Sequence, residues 1–131
     1  MEAIDMHNHF VAPEVIAFLA REGRHFATRI VVREGRRFFL IQEKALRPID
    51  GPISNAAARI ADMEREGVTR QAVSCVPFLM YPDVDAERGL AIAQVNNDAM
   101  AALATKDSIH FMPLASVPMQ APEAAARVVN G

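Results

Sequence analysis

Ala3-Ile4-Asp5-Met6-His7-Asn8-His9 is a short apolar run that ends on two histidines, two positions apart. It predicts a strand with His7 and His9 at its C-terminal end. Residues i and i+2 of a strand point to one face, and a rise of about 3.3 Å per residue sets their Cα atoms about 6.6 Å apart. Two imidazoles leaning together from that spacing meet one metal ion at roughly 2.0–2.1 Å each. The geometry suits a divalent first-row ion, zinc first. A His-x-His pair also arises by chance, so its placement carries the reading. It stands at the end of the first strand of a βα series, where barrel active sites are built. Asn8 lies between the histidines and turns its side chain to the opposite face, a structural position.

Outward from this stretch, Pro13 suits the first turn of a helix. Val15, Phe18 and Leu19 recur at helical spacing, and Gly23 stops the helix. Residues 28–33 and 37–42 are rich in β-branched and aromatic side chains and flank Glu34-Gly35-Arg36, a hairpin signal. Residues 44–52 contain Arg47-Pro48 and Gly51-Pro52 and are expected to form an irregular loop. Ser54 or Asn55 caps the next helix, with Ala56, Ile60 and Met63 on its buried stripe and Arg59, Asp62, Arg65 and Glu66 facing water. Gly67 ends it. A buried strand over 71–76, a loop over 78–84 and a long helix capped by Asp85 follow. Residues 109–115 form a third buried strand. A last helix opens at Pro122 and is cut off at Gly131.

The alternation of strands and helices argues for a parallel sheet with helices outside. The three core strands, near 3–7, 71–76 and 110–115, are expected to be parallel and adjacent in that order.

Charge narrows the function. The chain carries 14 Lys+Arg against 16 Asp+Glu in 131 residues, a net charge of −2, which removes the case for a nucleic-acid binder. The lone Cys75 excludes an internal disulfide and a multi-cysteine zinc site. No apolar run approaches the roughly 18 residues that span a bilayer. The acidic start Met1-Glu2-Ala3-Ile4-Asp5 lacks the basic and apolar regions of a signal peptide. A cytoplasmic protein with no membrane partner is expected.

Other polar and aromatic candidates are weaker. Phe78, Met80 and Tyr81 follow the second strand and either line a pocket for an aromatic or unsaturated acid or pack as ordinary loop residues. Cys75, inside an apolar strand, reads as a core residue rather than a nucleophile. His25 and His110 lack partners at ligand spacing. Glu87 and Asp98 belong to a solvated helix face.

With these residues in view, the chain resembles the amidohydrolase superfamily. Within it, the match is to the branch of aminocarboxymuconate-semialdehyde decarboxylase and related aromatic-acid decarboxylases. The resemblance rests on Ile4-Asp5-Met6-His7-Asn8-His9-Phe10, on Leu46-Arg47-Pro48-Ile49, on Ala58-Arg59-Ile60-Ala61-Asp62-Met63 with Glu66-Gly67-Val68, on Asn97-Asp98, and on Ala115-Ser116-Val117-Pro118-Met119-Gln120. It implies a (β/α)₈ TIM barrel holding one divalent metal, commonly zinc. His7 and His9 match the two ligands of its first strand. Arg47 matches an arginine that contacts a substrate carboxylate, a role suited to a guanidinium fork that never deprotonates. The competing reading of Arg47 is a solvent-exposed loop residue.

Such a barrel usually needs about 250 residues. Residues 1–131 supply about three βα units and a β-hairpin insertion. They are therefore expected to be the N-terminal portion of a metal-dependent hydrolase/decarboxylase barrel, truncated at its C-terminus. The resemblance implies a further histidine ligand from a middle strand, an aspartate from the last strand and an acid/base histidine, and none has a matching position. Two imidazoles leave zinc two ligands short of four, so these residues alone are expected to be inactive.

The leading reading is a metal-dependent carbon–carbon lyase that decarboxylates an unsaturated or aromatic carboxylic acid, a small-molecule partner. A zinc-dependent hydrolase of a lactone, amide or ester on the same barrel is the alternative. A third is a non-catalytic βα-domain with an incidental His-x-His. A homodimer is open to the full-length enzyme.

Overall fold

The computed structural model describes residues 1–130. Its first strand, β1 (Ile4–His9), ends on the second histidine. Helix α1 (Pro13–Glu22) starts on proline, whose missing N–H costs nothing in the first turn, and buries Val15, Ile16 and Leu19. Gly23 does not stop the chain in a left-handed cap. It stays right-handed and opens a 3₁₀ turn, Gly23–Phe26. What glycine supplies there is space, because a Cβ would collide with the Thr28 carbonyl.

The expected hairpin forms as β2 (Thr28–Arg33) and β3 (Arg36–Ile41). Glu34 and Gly35 join the strands at φ 52° and 76°, the left-handed pair that a two-residue type I′ turn requires. The loop expected over 44–52 is only half a loop, because β4 (Ala45–Pro48) adds a third antiparallel strand with Arg47 opposite Phe39. Leu46-Arg47-Pro48 has no strand signature of its own. At a sheet edge, however, a proline forfeits no ladder bond on its solvent side.

The Val11 N–H donates to the Ile53 carbonyl at 2.7 Å. The excursion over residues 12–52 thus leaves and rejoins the chain at one point, just beyond the C-terminal end of β1. Phe39 and Ile49 are fully buried in the same cluster as Val15, Leu19 and Met63, so the excursion shares the domain's core.

Helix α2 (Ala56–Glu66) is capped by Asn55, whose Oδ1 accepts from the Ala58 N–H, and closes on Gly67 at φ 72°. Strand β5 (Arg70–Ser74) leads through a short 3₁₀ turn, Pro77–Leu79, to α3 (Ala86–Lys106), capped by Asp85. Strand β6 (Phe111–Pro113) is shorter than the expected 109–115, although the Leu114 N–H still donates to the Val73 carbonyl at 2.8 Å. Helix α4 (Pro122–Asn130) follows. Its expected end at Gly131 lies outside the described residues.

Strands β1, β5 and β6 form one parallel sheet in that order, as the βα alternation requires. Asp5 pairs with Gln71 but Asn8 with Val73, so β1 carries one extra residue between them. This bulge falls at Met6 and His7, between the paired Asp5 and Asn8, and bulges re-aim side chains.

Candidate metal centre

His7 and His9 share one side of β1. Their ring centroids lie 5.1 Å apart, edge to face at 84°. His7 is exposed and His9 half-buried. Asn8 turns away, as expected, and its Oδ1 accepts from Arg59 Nη1 at 3.4 Å.

The pair is backed by β5. His9 Nδ1 lies 3.1 Å from Ser74 Oγ, and the Ser74 hydroxyl donates to the Asn8 carbonyl at 3.2 Å. At the start of β1, the Asp5 carboxyl is held below its ordinary range, first by the Asn8 side-chain amide and then by the His7 N–H, which donates to it at 3.1 Å. Asn8 Nδ2 makes no regular hydrogen bond, so its influence on Asp5 is that of a nearby dipole.

Arg59 corrects the sequence reading. Expected to face water, it is 7% exposed. Its Nη2 donates to the His9 carbonyl at 2.6 Å, its Nη1 to Gln71 Oε1 at 3.2 Å, and its Nε to the Pro52 carbonyl at 3.0 Å. The guanidinium also lies 5.4 Å from the Phe10 ring centroid. Burial lowers its pKa and Asp5 opposes this, but arginine keeps its charge in proteins. One cation on α2 therefore ties together the end of β1, the neighbouring strand and the returning excursion.

Imidazole suits a divalent first-row ion, and two neighbouring imidazoles on one side of a strand fit one as part of its ligand set. Among the described residues no third His, Cys, Asp or Glu joins them.

Arg47 stands on β4, exposed, with its guanidinium 5.5 Å from the Phe78 ring centroid. Both residues border a cleft of about 440 Å³ with Ile41, Ala45, Pro77 and Tyr81. His25 also borders it, but neither His7 nor His9 does. The excursion nonetheless brings Arg47 to the loop that leaves the C-terminal end of β5, and the histidines end the adjacent strand.

The remaining candidates have structural partners. Tyr81 is buried, its hydroxyl donates to Thr28 Oγ1 at 2.8 Å, and burial pushes its pKa up to about 12. Met80 is exposed and Phe78 half-buried. The buried Cys75 thiol is pushed up to about 12 by burial, which removes the thiolate a nucleophile needs. His110 pairs with Asp107 at 2.7 Å, at the opposite end of the sheet from the histidine pair. His25 bonds Arg88 Nη2 at 3.1 Å beside Glu22. Glu87 and Asp98 are exposed.

No family model matches the chain. Solved structures do. The apo form of IDCase from Metarhizium anisopliae superposes with a TM-score of 0.79 at 18% identity, over 98% of this chain and 38% of that one. The 5-carboxyvanillate decarboxylase LigW from Sphingomonas paucimobilis gives 0.70 at 21% identity, over 98% and 38%. A dihydroxybenzoic acid decarboxylase from Polaromonas sp. JS666, with bound manganese and the inhibitor 2-nitroresorcinol, gives 0.63 at 23% identity, over 99% and 34%. The chain thus spans little more than a third of the structures it matches, and at these identities the likeness is one of fold. Three parallel βα units are what the chain shares with these structures: it has the fold of the N-terminal part of their TIM barrel.

Proposed function

We propose that residues 1–131 are the N-terminal portion of a divalent-metal-dependent decarboxylase acting on an aromatic or unsaturated carboxylic acid in the cytoplasm. The observation that carries this reading is the adjacent His7–His9 pair at the C-terminal end of β1, within a fold shared with decarboxylases of aromatic acids.

His7 and His9 would hold the ion, and zinc is our assignment for it. When bound, such an ion supplies Lewis acidity to a substrate oxygen. The other ligands would come from barrel strands that the matching structures have beyond the part aligned here. Arg47 would bind a substrate carboxylate through its fork of N–H donors, with the Phe78 ring beneath the guanidinium limiting its rotation.

The test is to measure metal content and CO₂ release with hydroxybenzoates and unsaturated dicarboxylic acids in the full-length protein that contains residues 1–131, and in its His7→Ala and His9→Ala variants. Loss of bound metal together with loss of CO₂ release in both variants is expected. Hydrolysis of lactones or esters without CO₂ release would overturn the decarboxylase assignment. A protein that takes up no zinc or manganese would make the histidine pair incidental.

A further inference from the structure

The Ser74 hydroxyl touches two groups at once, the His9 ring at Nδ1 and the Asn8 main-chain carbonyl. A hydroxyl has one hydrogen to give. The carbonyl has none, so its contact with Ser74 is a hydrogen bond only if Ser74 donates to it. The hydroxyl oxygen then faces His9 Nδ1 with a lone pair, and that contact is a bond only if Nδ1 carries the hydrogen. Both contacts are satisfied together in a single arrangement, N–H of His9 to Ser74 and O–H of Ser74 to Asn8. A neutral imidazole with hydrogen on Nδ1 has its free lone pair on Nε2.

We propose that Ser74 is a positioning residue for His9. It fixes the ring as the Nδ1–H tautomer and sets its rotation, so that Nε2 is the ligating atom before any metal arrives. The inference rests on the reading of His9 as a ligand, but the tautomer itself does not. Ser74 is well placed for the role. It is the last residue of β5, directly opposite His9 in the register, and the Phe10 N–H donates to the Ser74 carbonyl at 2.9 Å. The serine backbone is thereby fixed to the strand whose ring it orients. His7 has no such partner among the described residues and is exposed, so orientation is built into one histidine of the pair and not the other. Partners of this kind on a ligating histidine are generally worth about 10- to 100-fold in metal affinity.

The experiment has two independent readouts. Ring ¹⁵N NMR of the metal-free protein, with His9 assigned from the spectrum of His9→Gln, reports the tautomer. The wild type is expected to show His9 with Nδ1 protonated, and Ser74→Ala to shift it toward the Nε2–H form. Ser74→Thr, which keeps the hydroxyl, is expected to restore the wild-type signal. Manganese(II) titration then reads affinity, with a loss of about 10- to 100-fold for Ser74→Ala and recovery in Ser74→Thr. Wild-type His9 in the Nε2–H form, or a tautomer unchanged by Ser74→Ala, overturns the proposal, and the wild-type spectrum decides without either Ser74 variant having to fold. The expected tautomers with no manganese binding by the full-length protein would uphold the Ser74 assignment and overturn the metal reading instead.

Discussion

Arg59 carries the clearest lesson at the scale of single residues. It stands three positions after Ala56 and four before Met63, so helical spacing alone puts it on the buried stripe of α2. Its charge led to the opposite expectation, and residue type is the weaker guide when a long side chain finds acceptors inside. Truncation in Arg59→Ala leaves the His9 and Pro52 carbonyls and the Gln71 amide without their donor. Hydrogen bonds to a charged group are worth about 1.5–3 kcal/mol each, but these share one side chain, so a net loss of about 2–4 kcal/mol is expected. Urea unfolding checks it, and a midpoint unchanged from the wild type would mean that the network contributes nothing. For Arg47 the expectation differs, because it is exposed and its role is proposed to be toward substrate. Arg47→Lys keeps the charge but loses the fork. In the full-length protein it is expected to lower kcat/KM by about ten- to 150-fold, the equivalent of about 1.5–3 kcal/mol, with metal content unchanged. Unaltered steady-state kinetics would place the carboxylate elsewhere. His7 and His9 were legible because a spacing of two has one meaning on a strand. Ser74 was not, because pairing between β1 and β5 cannot be read from either strand alone.

At the scale of elements, the connections decide what the strands present. Tyr81 sits at φ 47°, a left-handed conformation that costs a bulky side chain of order 1–3 kcal/mol. Thr28 holds its hydroxyl, and Gln120 Nε2 donates to the Tyr81 and Val84 carbonyls at 3.1 and 3.2 Å. The Gln120 amide lies against Gly89, where a Cβ would collide with it. Gly89→Ala therefore displaces a flexible side chain rather than backbone. The gain from alanine within α3 is about 0.5–1 kcal/mol, and the two lost hydrogen bonds are worth about 0.5–1.5 kcal/mol each. Global stability is expected to move by no more than about 2.5 kcal/mol, while the Val84 amide, which donates to Tyr81 at 3.3 Å, exchanges faster. Slower exchange would show that Gln120 does not brace the loop. The excursion sheet has its own tie. Asp50 accepts from the Arg37 N–H at 2.8 Å and from the Arg37 guanidinium at 2.7 Å, and these lower its pKa from the ordinary 3.8, the backbone bond first. A lowered carboxyl stabilises fully above its unfolded value and loses that contribution as pH falls through the folded one. The Arg37 amide resonance is thus expected to titrate with a midpoint below 3.8, and to stop titrating in Asp50→Asn. A midpoint at or above 3.8 would refute the tie. The hairpin was legible in its turn residues. β4 was not, because a four-residue edge strand ending in proline has no period of its own.

The order of the whole sheet was the most legible feature, since parallel neighbours require crossovers and the alternation of strand and helix supplies them. Its unfinished sides have a physical consequence. Among the described residues β1 and β6 each have a single strand neighbour, so each presents an open strand edge. Beside these edges, Ile4 and Met6 on β1 and Leu114 just after β6 are 43%, 69% and 50% exposed. Unpaired edges with apolar side chains recruit other chains. Residues 1–131 produced alone are therefore expected to self-associate as concentration rises, in sedimentation velocity or size-exclusion experiments. Met6→Lys, a charge on the open strand, is expected to reduce that association without unfolding the core, because Met6 lies outside the buried cluster. If the chain belongs to a closed barrel, a longer product that includes the remaining strands should keep a fixed assembly over the same concentration range and should be insensitive to the edge effect. A chain of 131 residues that stays monomeric at every concentration tested would mean that the two open edges are already self-sufficient, and the proposal that further strands cover them would fall.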